Sequence, residues 1–182
     1  AKIWKHKDPA KAMDEATFII LATSLNIPEA SAIAKPLLAH PGNGPTYVQF
    51  AIKNQSQVQS PELAKRLVPV LSLMVANPKQ RMTALDAIAR FKAKVDSKLL
   101  LPLLGNEDVK VVTATLKAMQ ANPGANLPAI ESLAKDNTAD LGIRLSASHS
   151  LLQMDVKKGQ AQLAALLGSL ADDEKRKLVQ EF

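Results

Sequence analysis

The chain has 182 residues, 47% of them hydrophobic and 22% charged, with a formal net charge of +6, 11 Pro, 7 Gly and no Cys. These values exclude a disulfide scaffold, a thiolate metal site and a disordered chain, and no apolar run reaches the ~20 residues that span a bilayer. Aromatic residues make up only 3%, so the apolar mass is Ala, Leu, Val and Ile, which suits stacked helices better than an aromatic-lined ligand pocket or a base-stacking surface.

The length fits one domain or one continuous repeat array. The charge is uneven along it: residues 1–104 carry 14 Lys+Arg against 7 Asp+Glu, and residues 105–182 carry 9 against 10. A basic half of this kind can attract nucleic acid, acidic lipid or an acidic protein.

The amino end is Ala1, without a positive-then-apolar signal segment. It reads as a processed mature end or an excised piece, leaving the compartment open between cytoplasm and, for a processed chain, periplasm. Trp4, just ahead of Asp8-Pro9, is expected to dock on the first helix as a staple. Residues 1–27 are expected to form an amino-terminal cap or degenerate unit.

Strand signals are nearly absent, and helix signals are frequent. Asp8-Pro9, Ser60-Pro61, Asn77-Pro78 and Asn122-Pro123 each place a capping side chain before a proline, which is tolerated at the first helical position. Apolar helices are expected over Leu63–Val75, Leu99–Leu104, Leu127–Ala134 and Leu163–Leu170. Longer ones should follow Asn77, Asn106 and Asn137. In these, Arg81, Ala84, Ile88 and Phe91 superpose on Val109, Val112, Leu116 and Met119, and on Arg144, Ala147, Leu151 and Met154. The shared offsets of 0, 3, 7 and 10 place each set on one helical face, so Ile88, Leu116 and Leu151 are expected to be buried.

Four prolines carry an internal repeat. Pro36, Pro69, Pro102 and Pro128 are 33, 33 and 26 residues apart, and a proline-free copy, Leu163-Ala164-Ala165-Leu166, begins ~36 residues after Leu127. They are expected at equivalent places in successive second helices of stacked pairs. Stacking buries faces that one helix pair cannot bury alone.

Leu67 to Phe91 (LVPVLSLMVANPKQRMTALDAIARF) and Leu100 to Met119 (LLPLLGNEDVKVVTATLKAM), with Leu127 to Met154 more loosely, resemble HEAT repeats. The resemblance covers residues 28–170 and implies an all-α, right-handed α-solenoid of about five antiparallel helix pairs, with residues 171–182 as a carboxyl-terminal capping helix. In the family a turn Asp and the following Arg form a ladder between repeats. Here Asn77, Asn106 and Asp136 stand at the Asp position, and the Arg survives at Arg81 and Arg144 but is replaced by Val109-Lys110, so the ladder is incomplete.

Residues fit for catalysis are scattered. His6, His40 and His149 have no metal-ligand partners at suitable spacing, and His149 is expected to be exposed. The turn from His40 to Pro45 lacks the Lys-Ser/Thr of a phosphate loop. Ser146, Ser148 and Ser150 lie in a helix without a nucleophile's strained turn. Glu107-Asp108 and Asp172-Asp173-Glu174 sit at apparent helix starts, where negative charge favours the helix dipole. Neither a catalytic residue, a cofactor nor a metal site is assigned.

The expected function is a non-enzymatic scaffold that binds a protein, an acidic one suiting the basic half. Lys65, Arg66, Arg90, Lys92, Lys94 and Lys98 are the candidate partner-binding residues, with Glu131 and Lys135 further along the same kind of surface. Nucleic-acid binding through the basic half is the alternative, since HEAT-like solenoids include DNA-repair enzymes with basic channels. An accessory module of a larger enzyme stays open as a third reading.

Overall fold

A computed structural model describes Ile20, residues 44–173 and Lys175. The expectations for Trp4, His6, Pro36, His40, the cap over 1–27 and most of the 171–182 helix lie outside these residues. Within them the chain is all-helical, without a strand. The order is α1 (Gly44–Lys53), α2 (Gln55–Val58), α3 (Pro61–Ala76), α4 (Arg81–Phe91), α5 (Ser97–Leu100), a 3₁₀ segment (Leu101–Gly105), α6 (Val109–Met119), α7 (Pro123–Lys135), α8 (Leu141–Met154) and α9 (Val156–Ser169).

Five helix starts carry a side-chain cap. Ser60 accepts the Leu63 amide at 3.1 Å and Pro61 takes the first position of α3. Asp96, Asp108, Asp140 and Asp155 cap α5, α6, α8 and α9, accepting from the amides of Lys98, Lys110, Gly142 and Lys158 at 2.8–3.1 Å. The carboxylates satisfy orphan amides and complement the positive end of the helix dipole.

The asparagines act differently from the sequence expectation. Asn77 ends α3 and its side chain accepts the Lys79 amide at 3.1 Å, folding Asn77–Gln80 into a turn, so α4 opens at Arg81. Before α8 the cap is Asp140, while Asn137 lies in the preceding turn. Asn122 stands at the start of α7 without a capping side-chain bond. Asn126, one turn on, instead donates to the Met119 carbonyl at 2.8 Å and ties α7 to the end of α6.

The prolines are equivalent only in part. Pro69 stands seven residues before Ala76 and Pro128 seven before Lys135, both inside α-helices and both exposed. Exposure lets water satisfy the carbonyl that each missing amide leaves free. Both occupy the helix ahead of the turn into α4 or α8, not the second helix of that pair. Pro102 departs further: it lies in the 3₁₀ segment, so the helix expected over Leu99–Leu104 is split.

α4 packs on α6 and α6 on α8, forming a row, with α3 against α4 and both α7 and α9 against α8. The offsets read from the sequence describe its core. Ala84, Ile88, Phe91, Val112, Leu116, Met119, Ala147 and Leu151 are all buried, the last at 1% exposure. α8 touches α6, α7 and α9, which is why Ser148 and Ser150 are buried beside Ala147 and Leu151. Ser148 donates to the Arg144 carbonyl at 2.8 Å, and Ser150 accepts from Gln120 at 3.1 Å, pinning α6 to α8.

Arg81 and Arg144 each bond within their own turn. Arg81 Nε donates to the Val75 carbonyl at 3.0 Å, and Arg144 Nη2 donates to Asn137 Oδ1 at 3.0 Å. Both fasten the loop between consecutive helices instead of forming rungs between successive units.

Candidate functional site

Three grooves run side by side around the carboxyl end of α4. The first, about 450 Å³, lies between the start of α3 and the segment after α4. Pro61, Ala64, Val68 and Phe91 form its mainly apolar floor, and Lys65, Lys92 and Lys94 stand around it. The second lies between α4 and α6 and holds Asp86, Arg90, Lys110 and Lys117 beside the exposed Met82 and Val109. The third joins α4, α6 and α8 through Lys92, Lys117, Gln120, His149 and Gln153. Lys92 belongs to the first and third, while Ala89, Arg90 and Lys117 belong to the second and third.

The lining therefore gathers six fixed cations, Lys65, Arg90, Lys92, Lys94, Lys110 and Lys117, against the single carboxylate of Asp86. That carboxylate is committed. Arg90 Nε reaches both of its oxygens at 2.7 and 2.8 Å. Arg90 is also tied to α2: its Nη1 donates to Gln55 Oε1 at 3.3 Å, and Gln59 Nε2 donates to its carbonyl at 3.2 Å. The five lysines form no ion pair among the described residues.

Local backbone explains how two of these lysines come to face outward. α4 ends in a turn where the amides of Lys92 and Ala93 both bond to the Ile88 carbonyl, with Lys92 left-handed at φ 53°, ψ 39°. Glycine fits that conformation without strain, whereas a side chain costs free energy there. From Phe91 to Asp96, burial then alternates: Phe91, Ala93 and Val95 are buried, and Lys92, Lys94 and Asp96 are exposed. The alternation turns both lysines away from the core.

Of the residues expected from sequence, Lys65, Arg90, Lys92 and Lys94 come together on these grooves. Arg66 does not: it pairs with Glu62 at 2.6 Å along α3. Lys98 is exposed on α5 and lines none of them. Lys110 and Lys117 went unrecognised because they belong to a half whose summed charge is slightly acidic. Their spacing of seven, two turns along α6, was the available signal.

Glu131 and Lys135 lie elsewhere, in a cluster between α7 and α9. Glu131 accepts from Lys135 and Lys158 at 2.7 Å each. These two hydrogen bonds lower its pKa from 4.5 to about 2, and the Glu131 bond holds Lys158 above its ordinary value. The cluster fastens one helix to another.

His149 is exposed, as expected, and lies in the third groove. Among the described residues no group of three or more His, Asp or Glu side chains could hold a metal ion, and no helix is long and apolar enough to cross a membrane. Compared with known proteins, the chain matches no family model, no curated protein and no solved structure.

Proposed function

We propose that the chain is a non-enzymatic, HEAT-like α-solenoid of right-handed twist, and that it binds an acidic protein partner through the linked grooves of α3, α4, α6 and α8. The observation that carries this reading is the six-to-one excess of cations over carboxylates on one continuous lining. Like charges held close together repel, and an incoming anionic surface relieves that repulsion while speeding encounter. The row α4–α6–α8 supports the solenoid part, because stacked helices offer an extended face that suits recognition. The polar groups of the lining are fixed charges, amides, the Ser60 and Thr113 hydroxyls and the His149 imidazole, and the nearby Ser148 and Ser150 are buried and hydrogen-bonded.

Nucleic acid is the competing partner for a basic surface. The one Phe, Tyr or Trp of the lining, Phe91, is 3% exposed and lies in the floor, which leaves only the exposed imidazole of His149 to meet an unpaired base.

The test is fluorescence anisotropy of labelled polyglutamate and of a labelled DNA duplex at physiological ionic strength. The proposal expects polyglutamate to bind and to weaken as salt rises. The triple variant Arg90→Glu/Lys92→Glu/Lys94→Glu should lose about tenfold or more in affinity with unchanged circular dichroism. Duplex binding without polyglutamate binding overturns the protein-partner reading. Unchanged polyglutamate affinity in the folded variant overturns the grooves as the site.

A further inference from the structure

The first groove differs from its two neighbours in combining an apolar floor with a rim whose only charged groups are cations, beside the neutral Gln59 and Ser60. Pro61, Ala64, Val68 and Phe91 form the floor. Lys65, Lys92 and Lys94 surround it, and no carboxylate lines it among the described residues. The two acidic side chains nearest in sequence are occupied: Glu62 holds Arg66 at 2.6 Å, and Asp96 caps α5 by accepting the Lys98 amide at 2.9 Å. Among the described residues the rim has no counter-ion.

Resting on the reading above, we propose that this groove docks an extended acidic peptide segment that places one apolar side chain on the floor and its flanking carboxylates on Lys65, Lys92 and Lys94. The match is chemical on both counts. An apolar side chain loses its water contact on the floor, and carboxylates on either side of it meet ammonium groups that form no ion pair among the described residues. The segment from Ala93 to Asp96 is non-helical and alternates buried and exposed side chains, so Lys94 and, just ahead of the segment, Lys92 stand two residues apart on its exposed side, the spacing of side chains along one face of an extended peptide. Lys92 adds an independent sign. It occupies a left-handed position at φ 53° where glycine is unstrained, so the chain carries a backbone cost to keep an ammonium group at the junction of two grooves.

Two labelled peptides test this with the full chain: Glu-Glu-Leu-Glu-Glu, and the same peptide with serine in place of leucine. The leucine peptide should bind about fivefold or more tightly than the serine peptide, as partial burial of a leucine side chain implies. Lys65→Glu/Lys94→Glu should abolish that preference and weaken binding, whereas Lys110→Glu/Lys117→Glu, outside this groove, should preserve the preference. Lys92→Gly provides a variant that relaxes the backbone: it should weaken the leucine peptide without lowering the melting temperature. Equal affinities for the two peptides, or equal losses in the two double variants, overturn the groove proposal while leaving a generally basic binding surface intact. Failure of both peptides and of polyglutamate to bind overturns the groove and the broader reading together.

Discussion

Lys158 Nζ lies 2.7 Å from Glu131 Oε2, joining the first turn of α9 to the middle of α7 across 27 residues. Lys135 meets the other oxygen of the same carboxylate at 2.7 Å, and Glu131 is only about one-quarter exposed. Its pKa is lowered to about 2 from 4.5, first by the hydrogen bond from Lys135 and then by that from Lys158. A carboxyl group whose folded pKa is depressed stabilises the fold above its unfolded value and loses that contribution as pH falls toward the folded value. The attachment of α9 should therefore be intact above pH 4.5 and weaken progressively between 4.5 and about 2. Lys158, whose pKa is raised by the same bond, gives the opposite edge, contributing at neutral pH and losing its contribution in strong alkali. Thermal melts across the acid range should show that Glu131→Gln is less stable than the parent at neutral pH and that the gap narrows toward pH 2. A constant gap would mean that the carboxylate's charge contributes nothing.

Leu116, Ile88 and Leu151 are 0, 0 and 1% exposed and occupy the same offset in α6, α4 and α8. Truncation of each to Ala should cost ~2–4 kcal/mol in denaturant unfolding. Val109, at the first offset of the same pattern, is 48% exposed, and Val109→Ala should change stability by no more than ~0.5 kcal/mol. Comparable losses at Val109 and Leu116 would contradict the burial of one and exposure of the other.

Gly159 is buried where α9 crosses α8, and a Cβ at this position would run into the backbone of Leu152. Backbone cannot rotate aside as a side-chain end can, so α9 would have to move. Gly159→Ala should cost about 1–3 kcal/mol and speed amide exchange in α9. Gly168→Ala is the control on the same helix, since its Cβ would meet nothing within 4 Å. That change should be neutral or stabilising by up to about 1 kcal/mol through helix propensity.

Lys92→Gly should separate stability from binding. Relief of the left-handed conformation should raise unfolding stability by up to about 1 kcal/mol, while loss of the ammonium group weakens acidic ligands. Calorimetry and anisotropy on one preparation measure both. A variant that is less stable than the parent would show that Lys92 stabilises its turn more than its backbone strains it.

Periodicity made the helical core legible. Offsets of 3 and 7 select buried positions in all three helices, and offset 10 in two of them, because stacked helices bury one stripe each, whereas offset 0 falls at the helix start, where Val109 is exposed. Capping was harder to read. Asn77 and Asn137 have the chemistry of a helix cap, yet Asn77 folds a turn by accepting the Lys79 amide, Asn137 accepts from the Arg144 guanidinium, and Asp140 lies close enough to take over as cap. The run Leu99–Leu104 is apolar enough for a helix, but its proline and the Gly105-Asn106 stop leave too little length for one. Lys110 and Lys117 stayed hidden for another reason. A charge sum over half a chain averages cations on one helix face with carboxylates that cap other helices, and only packing brings α6 beside Arg90.

The 3₁₀ segment has a consequence for the cationic lining. Four residues of α5 and five of 3₁₀ occupy the place where α3 and α7 have 16 and 13 residues. The segment buries Leu100 and Leu103 and packs Leu99 and Leu104, partly buried, against the core, a shorter cover than a full helix provides. Helices α3 and α4 therefore meet the helices that follow mainly through the packing of α4 on α6, with the short α5 and 3₁₀ pieces alongside. Arg90 and Lys117 stand on opposite sides of that packing, so the distance between α4 and α6 sets the spacing of the cationic lining.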